Sequence, residues 1–211
     1  VQRYRGAFHG YYLAAETGFW NWGNPEFLTR CFHTYFQRAT NGVKDLTPDL
    51  PIMGSPYTVR CPGREEEAIA TLIAVHEGCP FTALAPQDSI GTTMNDLVFL
   101  ESGLDIWKAV CGAVGCEFWV NCESFCVTDY GGPLMTIVPA EFPRFAIQLD
   151  AAQRKGARKL ITWEAIHFMN PAGSAAAQRL RREYLQHRSA SGRSRRPKAG
   201  RRGAEVGVEK R

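Results

Sequence analysis

The sequence predicts an α/β protein with a parallel sheet, arranged as an incomplete (β/α) barrel. Five short apolar runs, rich in aromatic and β-branched residues, alternate with five longer amphipathic stretches. Each strand-plus-helix unit takes about 37 residues, which is the spacing of βα repeats. A doubly wound nucleotide-binding sheet would also alternate, but it predicts a glycine-rich phosphate loop, and neither GxGxxG nor GxxxxGK[ST] occurs. We therefore favour the barrel.

The strand candidates are flanked by Gly, Pro or Asn, and polar residues stand at their C-terminal ends. A (β/α) barrel carries its chemistry at those ends. The candidates are residues 8–16 (FHGYYLAAE), 50–57 (LPIMGSPY), 81–88 (FTALAPQD), 117–125 (EFWVNCESF) and 159–166 (KLITWEAI).

Helix signals fill the intervals between these strands. The first helix opens at Asn24-Pro25-Glu26, with Asn as the cap and Pro in the first turn. The other predicted helices span residues 63–76, 100–114, 141–155 and 175–187.

The composition separates a globular body from a basic tail. The chain has 211 residues, 45% of them hydrophobic, which is enough for one sizeable core. Residues 188–211 hold nine Lys/Arg and two Glu, a net charge of +7, whereas residues 1–187 hold sixteen basic and nineteen acidic side chains, a net of −3. We predict a domain over 1–187 and a disordered tail over 188–211. We favour a solvated extension over a nucleic-acid or membrane-surface arm. No apolar run approaches the ~18 residues of a membrane helix.

Glu16 ends the first strand candidate and precedes Trp20 and Trp22. Indole rings stack on sugar rings, and a partly apolar pocket raises the pKa of a carboxylic acid. This grouping predicts a catalytic acid beside aromatic platforms. The alternative is a surface glutamate in a loop with two core tryptophans.

The run EFWVNCESF alternates with period two, which places Trp119, Asn121 and Glu123 on one face of the strand. An unpaired glutamate inside so apolar a strand is costly to bury, so Glu123 is expected to reach a cleft. The alternative is a buried ion pair with Lys or Arg.

Two further strand ends offer candidate substrate contacts. Gln87 and Asp88 follow a buried run and could bind hydroxyl groups, although Asp-Ser before Gly91 is also ordinary turn chemistry. Trp163 and Glu164 lie on opposite faces of the last strand, so only one of them can readily face a cleft. Either could instead pack between sheet and helix.

Metal and cofactor chemistry find no support in the sequence. The five histidines show no HxH or HxxxH spacing, the seven cysteines form no CxxC, and GxSxG is absent. We expect neither a metal nor a cofactor.

Four segments together resemble a known family. FHGYYLAAE, ALAPQDSIG, FWVNCESF and KLITWEAIHFMNP occur in the order found in the domain of unknown function 4434, a group of glycoside-hydrolase-like TIM barrels. The resemblance spans about residues 8–187, and PQD-x-x-G and W-x-N-x-E-x-F are its most specific parts. It implies a (β/α)8 barrel of which this chain supplies strands four to eight, with nothing corresponding to the first three.

Under that register Glu16 ends strand four and Glu123 ends strand seven. This is similar to retaining glycosidases in which the former is the acid/base and the latter the nucleophile. The expected function is cleavage of an O-glycosidic bond in a carbohydrate substrate. Trp20, Trp22, Tyr57 and Trp163 would be stacking surfaces, and Gln87, Asp88, Asn121 and Glu164 hydroxyl contacts. The alternatives are a carbohydrate-binding barrel relic without catalysis and an inactive truncated fragment.

Overall fold

The computed structural model of the chain describes residues 6–18, 25–58, 60–131 and 136–194. Within these ranges the strands are β1 (Tyr11–Leu13), β2 (Ile52–Gly54), β3 (Ala83–Leu84), β4 (Glu117–Phe118), β5 (Val120–Glu123), β6 (Phe125–Asp129), β7 (Thr136–Pro139) and β8 (Leu160–Trp163). The helices are α1 (Pro25–Leu46), α2 (Glu65–His76), α3 (Leu100–Val114), α4 (Phe142–Arg154), α5 (Ala165–Phe168) and α6 (Ala175–Ser194).

A parallel sheet joins the strands in the order of the sequence. β1, β2, β3 and β4 pair in that order, and β5 pairs in parallel with β8. Only Trp119 separates β4 from β5, and its N–H donates to the Leu84 carbonyl at 2.9 Å. The N–H of Asn121 continues the ladder by donating to Pro86 at 2.9 Å. β4 and β5 are thus one interrupted strand, and the predicted α/β class with a parallel sheet is confirmed.

Helices pack against this sheet in sequence order and share one core with it. α1 contacts α2, α2 contacts α3, α3 contacts α4, and α4 contacts α6. Fully buried strand residues meet apolar residues of all five of these helices in a single cluster. α3 has the predicted bounds of 100–114, and the other predicted helices are each recovered with shifted ends.

Three features depart from the sequence prediction. β6 and β7 form an antiparallel hairpin between β5 and α4, with a register irregularity between Val127 and Asp129. Its strands are short and half-exposed, so they carry no long apolar run to signal them. The short helix α5 was likewise not predicted.

The C-terminal helix also differs from the prediction. α6 continues to Ser194, so residues 188–194 of the predicted disordered tail are helical; residues 195–211 lie outside the described part.

Trp107 connects the helical layer to the sheet edge. Its side chain is 1% exposed and its Nε1–H donates to the Tyr57 carbonyl at 2.9 Å. Its ring meets the edge of His76, whose pKa burial lowers to about 4, so that imidazole is neutral in the core. This contact fixes the segment after β2 against α3.

No helix among the described residues is both long enough and apolar enough to span a bilayer.

Replacing Trp107 by Ala is expected to lower the free energy of unfolding by about 3–5 kcal/mol, because it opens a large cavity and leaves the Tyr57 carbonyl without its donor. Urea unfolding measures the change. Leu46→Ala is the control, since Leu46 is 82% exposed and its loss should change stability by less than about 0.5 kcal/mol. Equal effects of the two substitutions would contradict this account of the core.

Candidate functional site

A cleft of about 310 Å³ lies at the C-terminal ends of the parallel strands. Parallel strands all present these ends at one edge of the sheet, so residues distant in sequence meet there. Six residues singled out from the sequence line the cleft together: Glu16, Tyr57, Gln87, Asn121, Glu123 and Trp163.

The remaining predicted site residues lie elsewhere. Asp88 is fully buried behind the cleft and does not line it. Glu164 is half-buried and paired with His167, three residues along the chain, while Trp163 faces the cleft in its place. Trp20 and Trp22 lie outside the described residues.

Glu16 lies in the exposed segment after β1 and is surrounded by hydrogen-bond donors. Gln87 Nε2 donates to Glu16 Oε1 at 2.7 Å and to the Ser55 carbonyl at 3.1 Å. Both N–H groups of the Gln87 amide are therefore used within the protein, and Gln87 orients Glu16. The Tyr57 hydroxyl also bonds to Glu16, and burial together with this carboxylate raises the pKa of Tyr57.

Glu123, at the end of β5, has a different environment. It is 1% exposed, and its Oε2 accepts a hydrogen bond from the Thr92 N–H at 2.9 Å. Gly91 allows this approach: a Cβ there would stand 2.5 Å from the Phe125 carbonyl oxygen and 2.9 Å from Glu123 Oε2. The loop after β3 is thus shaped around the Glu123 carboxyl.

Burial and a second carboxyl group shift the protonation of Glu123. Loss of solvation, and then the nearby Asp88 charge, raise the pKa of Glu123 to about 8. Burial likewise raises the pKa of Asp88 to about 6, against hydrogen bonds from Gln148 and main-chain N–H groups. Burial thus raises the pKa of both carboxyl groups and favours retention of a proton within the pair.

Asn121 lines the cleft from β5, two residues before Glu123. Its Nδ2 donates to Ser55 Oγ at 3.3 Å, and Ser55 Oγ donates to the Ala85 carbonyl at 2.8 Å. Asn121 is 5% exposed, and its Oδ1 has no partner among the described residues. An unpaired buried acceptor at a cleft is suited to a hydroxyl donor.

The sequence reasoning missed part of the wall of the cleft. Phe125 and Ile137 come from the unpredicted hairpin, and the Trp163 ring meets the edge of Phe125 at 5.1 Å between centroids. Tyr12 belongs to the predicted strand FHGYYLAAE, so period-two alternation could have identified it as facing the cleft. Thr92 and Met94 come from the loop after β3, whose path no sequence pattern specifies.

A metal centre and a second depression were the other candidate sites considered among the described residues. Among the described residues no three His, Cys, Asp or Glu side chains are grouped so as to hold a metal ion. A larger depression of about 670 Å³ lies along α1, but it is lined by that helix alone and contains no carboxylate.

Comparison with known proteins places the chain in a family. A profile of the family described as "Domain of unknown function (DUF4434)" matches residues 2–175. The chain belongs to the DUF4434 family. A comparison with curated proteins gave no significant match.

Among solved structures, the DUF4434 domain is similar to one from Bacteroides thetaiotaomicron described as "a putative alpha-L-fucosidase". Identity is 25%, the TM-score is 0.66, and the match covers 89% of this chain but 56% of the other. The chain thus spans little more than half of that relative and has a glycoside-hydrolase-like fold. A second structure, described as "a putative phosphonomutase" from Burkholderia cenocepacia, has 12% identity and a TM-score of 0.44, and the match covers 81% of this chain and 76% of the other.

Replacing Gly91 by Ala in the DUF4434 domain is expected to lower the free energy of unfolding by about 1–3 kcal/mol, because the new methyl group overlaps Phe125 and Glu123. Gly112→Ala is the matched control: it lies within α3 with open space around it, so added helix propensity should stabilise the domain slightly. Urea unfolding distinguishes them, and equal stability of the two variants would contradict the proposed packing of this loop.

Stability is also expected to depend on pH through Glu123. Its pKa in the folded domain is above the ordinary 4.5, so between about 4.5 and 8 the native state binds a proton that the unfolded state has released. The contribution of Glu123 is present below pH 4.5 and is lost as pH rises through about 8. Glu123→Gln should flatten this fall in unfolding free energy, measured by urea titration across pH 5–8 (roughly 1.4 kcal/mol per pH unit at most). An unchanged slope would contradict the burial effect.

Proposed function

We propose that the five βα units correspond to strands four to eight of a (β/α)8 barrel and that the cleft cleaves an O-glycosidic bond by a retaining mechanism. The observation that carries this proposal is the convergence of Glu16 and Glu123 on one cleft beside Tyr57 and Trp163. The fold similarity to the structure described as "a putative alpha-L-fucosidase" supports the same class of reaction and suggests α-L-fucosides among the first substrates to test.

Retaining hydrolysis needs one protonated and one ionised carboxyl group on either side of the scissile bond. Two carboxyl groups whose surroundings give them different pKa values supply such a pair. Glu16 accepts hydrogen bonds from Gln87 and Tyr57, so its partners orient its oxygens as acceptors. Burial and the nearby Asp88 charge raise the pKa of Glu123, which favours its protonated form.

We therefore assign Glu123 as the proton donor to the leaving oxygen and Glu16 as the attacking carboxylate. This reverses the roles that the family resemblance implies for the two residues. After glycosyl transfer to Glu16, the ionised Glu123 would take a proton from a water molecule as the oxygen of that water attacks the anomeric carbon. The bond from the sugar to Glu16 then breaks, which releases the sugar and restores protonated Glu123 and free Glu16.

The substrate ring would lie against the aromatic side chains. Trp163 packs against Phe125 and Phe168 and is still 47% exposed, so its exposed surface would be available for stacking. Asn121 lines the same cleft, and its side chain would contact the sugar.

The decisive experiment measures hydrolysis of a panel of aryl glycosides, including aryl α-L-fucosides, with poor and good leaving groups. Glu123→Gln should lower kcat/KM about 10²–10⁴-fold on phenyl glycosides and much less on 2,4-dinitrophenyl glycosides, which leave without a proton. Glu16→Gln should abolish turnover of both, because the nucleophile is lost.

Glu141→Gln is the control, since Glu141 is exposed at the start of α4 and paired only with Arg179 among the described residues. The opposite pattern of leaving-group dependence would restore the roles implied by the resemblance. Wild-type rates in both cleft variants would refute the proposed hydrolysis.

A second candidate is carbohydrate binding without cleavage. It is favoured by the exposure of Tyr12 and Trp163 and by a neighbouring groove of about 350 Å³ that shares Tyr12 with the cleft. In that case calorimetric binding of an oligosaccharide would be weakened by Trp163→Ala and retained by both glutamate variants, with no turnover by the wild type.

A further inference from the structure

Asp88 was expected from the sequence to contact substrate, but its surroundings indicate another role. Its carboxyl group is fully buried and does not line the cleft. Oδ1 accepts hydrogen bonds from the N–H groups of Ile90 and Glu123, both at 3.3 Å, and Oδ2 accepts one from Gln148 Nε2 at 2.5 Å. No substrate could reach these oxygens without displacing the core.

These contacts connect Asp88 to Glu123 by two routes through the main chain. Directly, Asp88 accepts the N–H of Glu123 itself. Indirectly, it anchors the turn that begins at Ile90 and leads through Gly91 to Thr92, whose N–H binds the Glu123 carboxyl at 2.9 Å. Asn95 Nδ2 closes the same loop by donating to the Asp88 carbonyl at 3.2 Å.

We propose that Asp88 is a positioning residue that holds the Glu123 carboxyl group in the cleft and, by its charge, retains the proton that Glu123 delivers. The inference rests on the proposed function only in that Glu123 delivers this proton to the leaving oxygen of a glycoside. Asp88 itself touches no substrate.

The other ionisable groups near Glu123 do not replace this effect. From α4, Arg144 contributes a positive charge that favours ionisation of Glu123, and its Nη2 is bound to the Phe125 carbonyl. The Cys122 thiol on β5 is buried and bonded to Asp88, and Cys126 on β6 lies near Arg144. Across the cleft the ionisable groups are Tyr12, Glu16 and Tyr57. Asp88 is the negative charge that opposes ionisation of Glu123.

Asp88→Asn tests the charge while preserving the shape. The remaining carbonyl oxygen can still accept the two main-chain N–H groups. The new amide can donate to Gln148 Oε1, which has no partner among the described residues, once the Gln148 amide rotates. We expect the Glu123 carboxyl to titrate at least about one pH unit lower in this variant, the shift typical of strongly interacting sites.

The measurement is a pH titration of carboxyl ¹³C chemical shifts in protein labelled at Asp and Glu, with the Glu123 signal assigned by its loss in Glu123→Gln. Asp105→Asn is the control, because Asp105 is exposed on α3 and paired with Lys155. It should leave the Glu123 midpoint unchanged. An unchanged midpoint in folded Asp88→Asn would overturn the proposal.

Should Asp88→Asn fail to fold, the titration of the wild-type protein decides. The proposal needs Asp88 to be ionised while Glu123 still holds its proton, so the Asp88 midpoint should lie below the Glu123 midpoint. An Asp88 midpoint above that of Glu123 would overturn the proposal. Neither titration uses a substrate, so a failure of glycoside hydrolysis is detected separately from a failure of this coupling.

Discussion

The site depends on how β5 pairs with its two neighbours, the segment after β3 on one side and β8 on the other. Val120 donates to Lys159 on one side at 3.1 Å, and Asn121 exchanges main-chain hydrogen bonds with Pro86 and Asp88 on the other. Because strand side chains alternate, this register sends Val120 and Cys122 into the core, where both are 0% exposed. A shift by one residue would put Glu123 into that core and its apolar neighbours into the cleft. Core packing therefore fixes where the carboxyl group points.

The two cleft glutamates differ in environment because the fold exposes Glu16 and buries Glu123. Glu16 lies on an exposed segment after a three-residue strand, within reach of side-chain donors. Glu123 is the last residue of a strand that is buried throughout, near the charge of a second carboxyl group. The same functional group thus meets side-chain hydrogen-bond donors at one wall of the cleft and loses its solvation at the other.

The sequence was sufficient where local pattern and burial agree. Alternation of apolar runs and amphipathic stretches predicts the parallel sheet, and period two places Asn121 and Glu123 on one face of their strand, with Val120 and Cys122 opposite. The barrel of eight strands remains an expectation, since the described strands form a parallel sheet of five in sequence order.

The sequence was insufficient where a side chain depends on a distant partner. Asp88 follows a strand in turn-like sequence, and only its contact with Gln148 on α4 accounts for its complete burial. Glu164 pairs with His167 because α5 begins immediately after β8, a helix too short to leave a periodic signal. The sequence did not predict the hairpin β6–β7 for a similar reason, since its half-exposed strands are paired only with each other among the described residues.

That hairpin has a consequence for how such a domain can diversify. It supplies Phe125 and Ile137 to the wall of the cleft, yet its outer strand pairs with its inner strand and not with the parallel sheet. Changes in its length or tip would reshape the rim of the cleft while leaving the order of the parallel strands intact. Relatives could acquire clefts of different shape by remodelling this one hairpin, with the positions of Glu16 and Glu123 inherited unaltered.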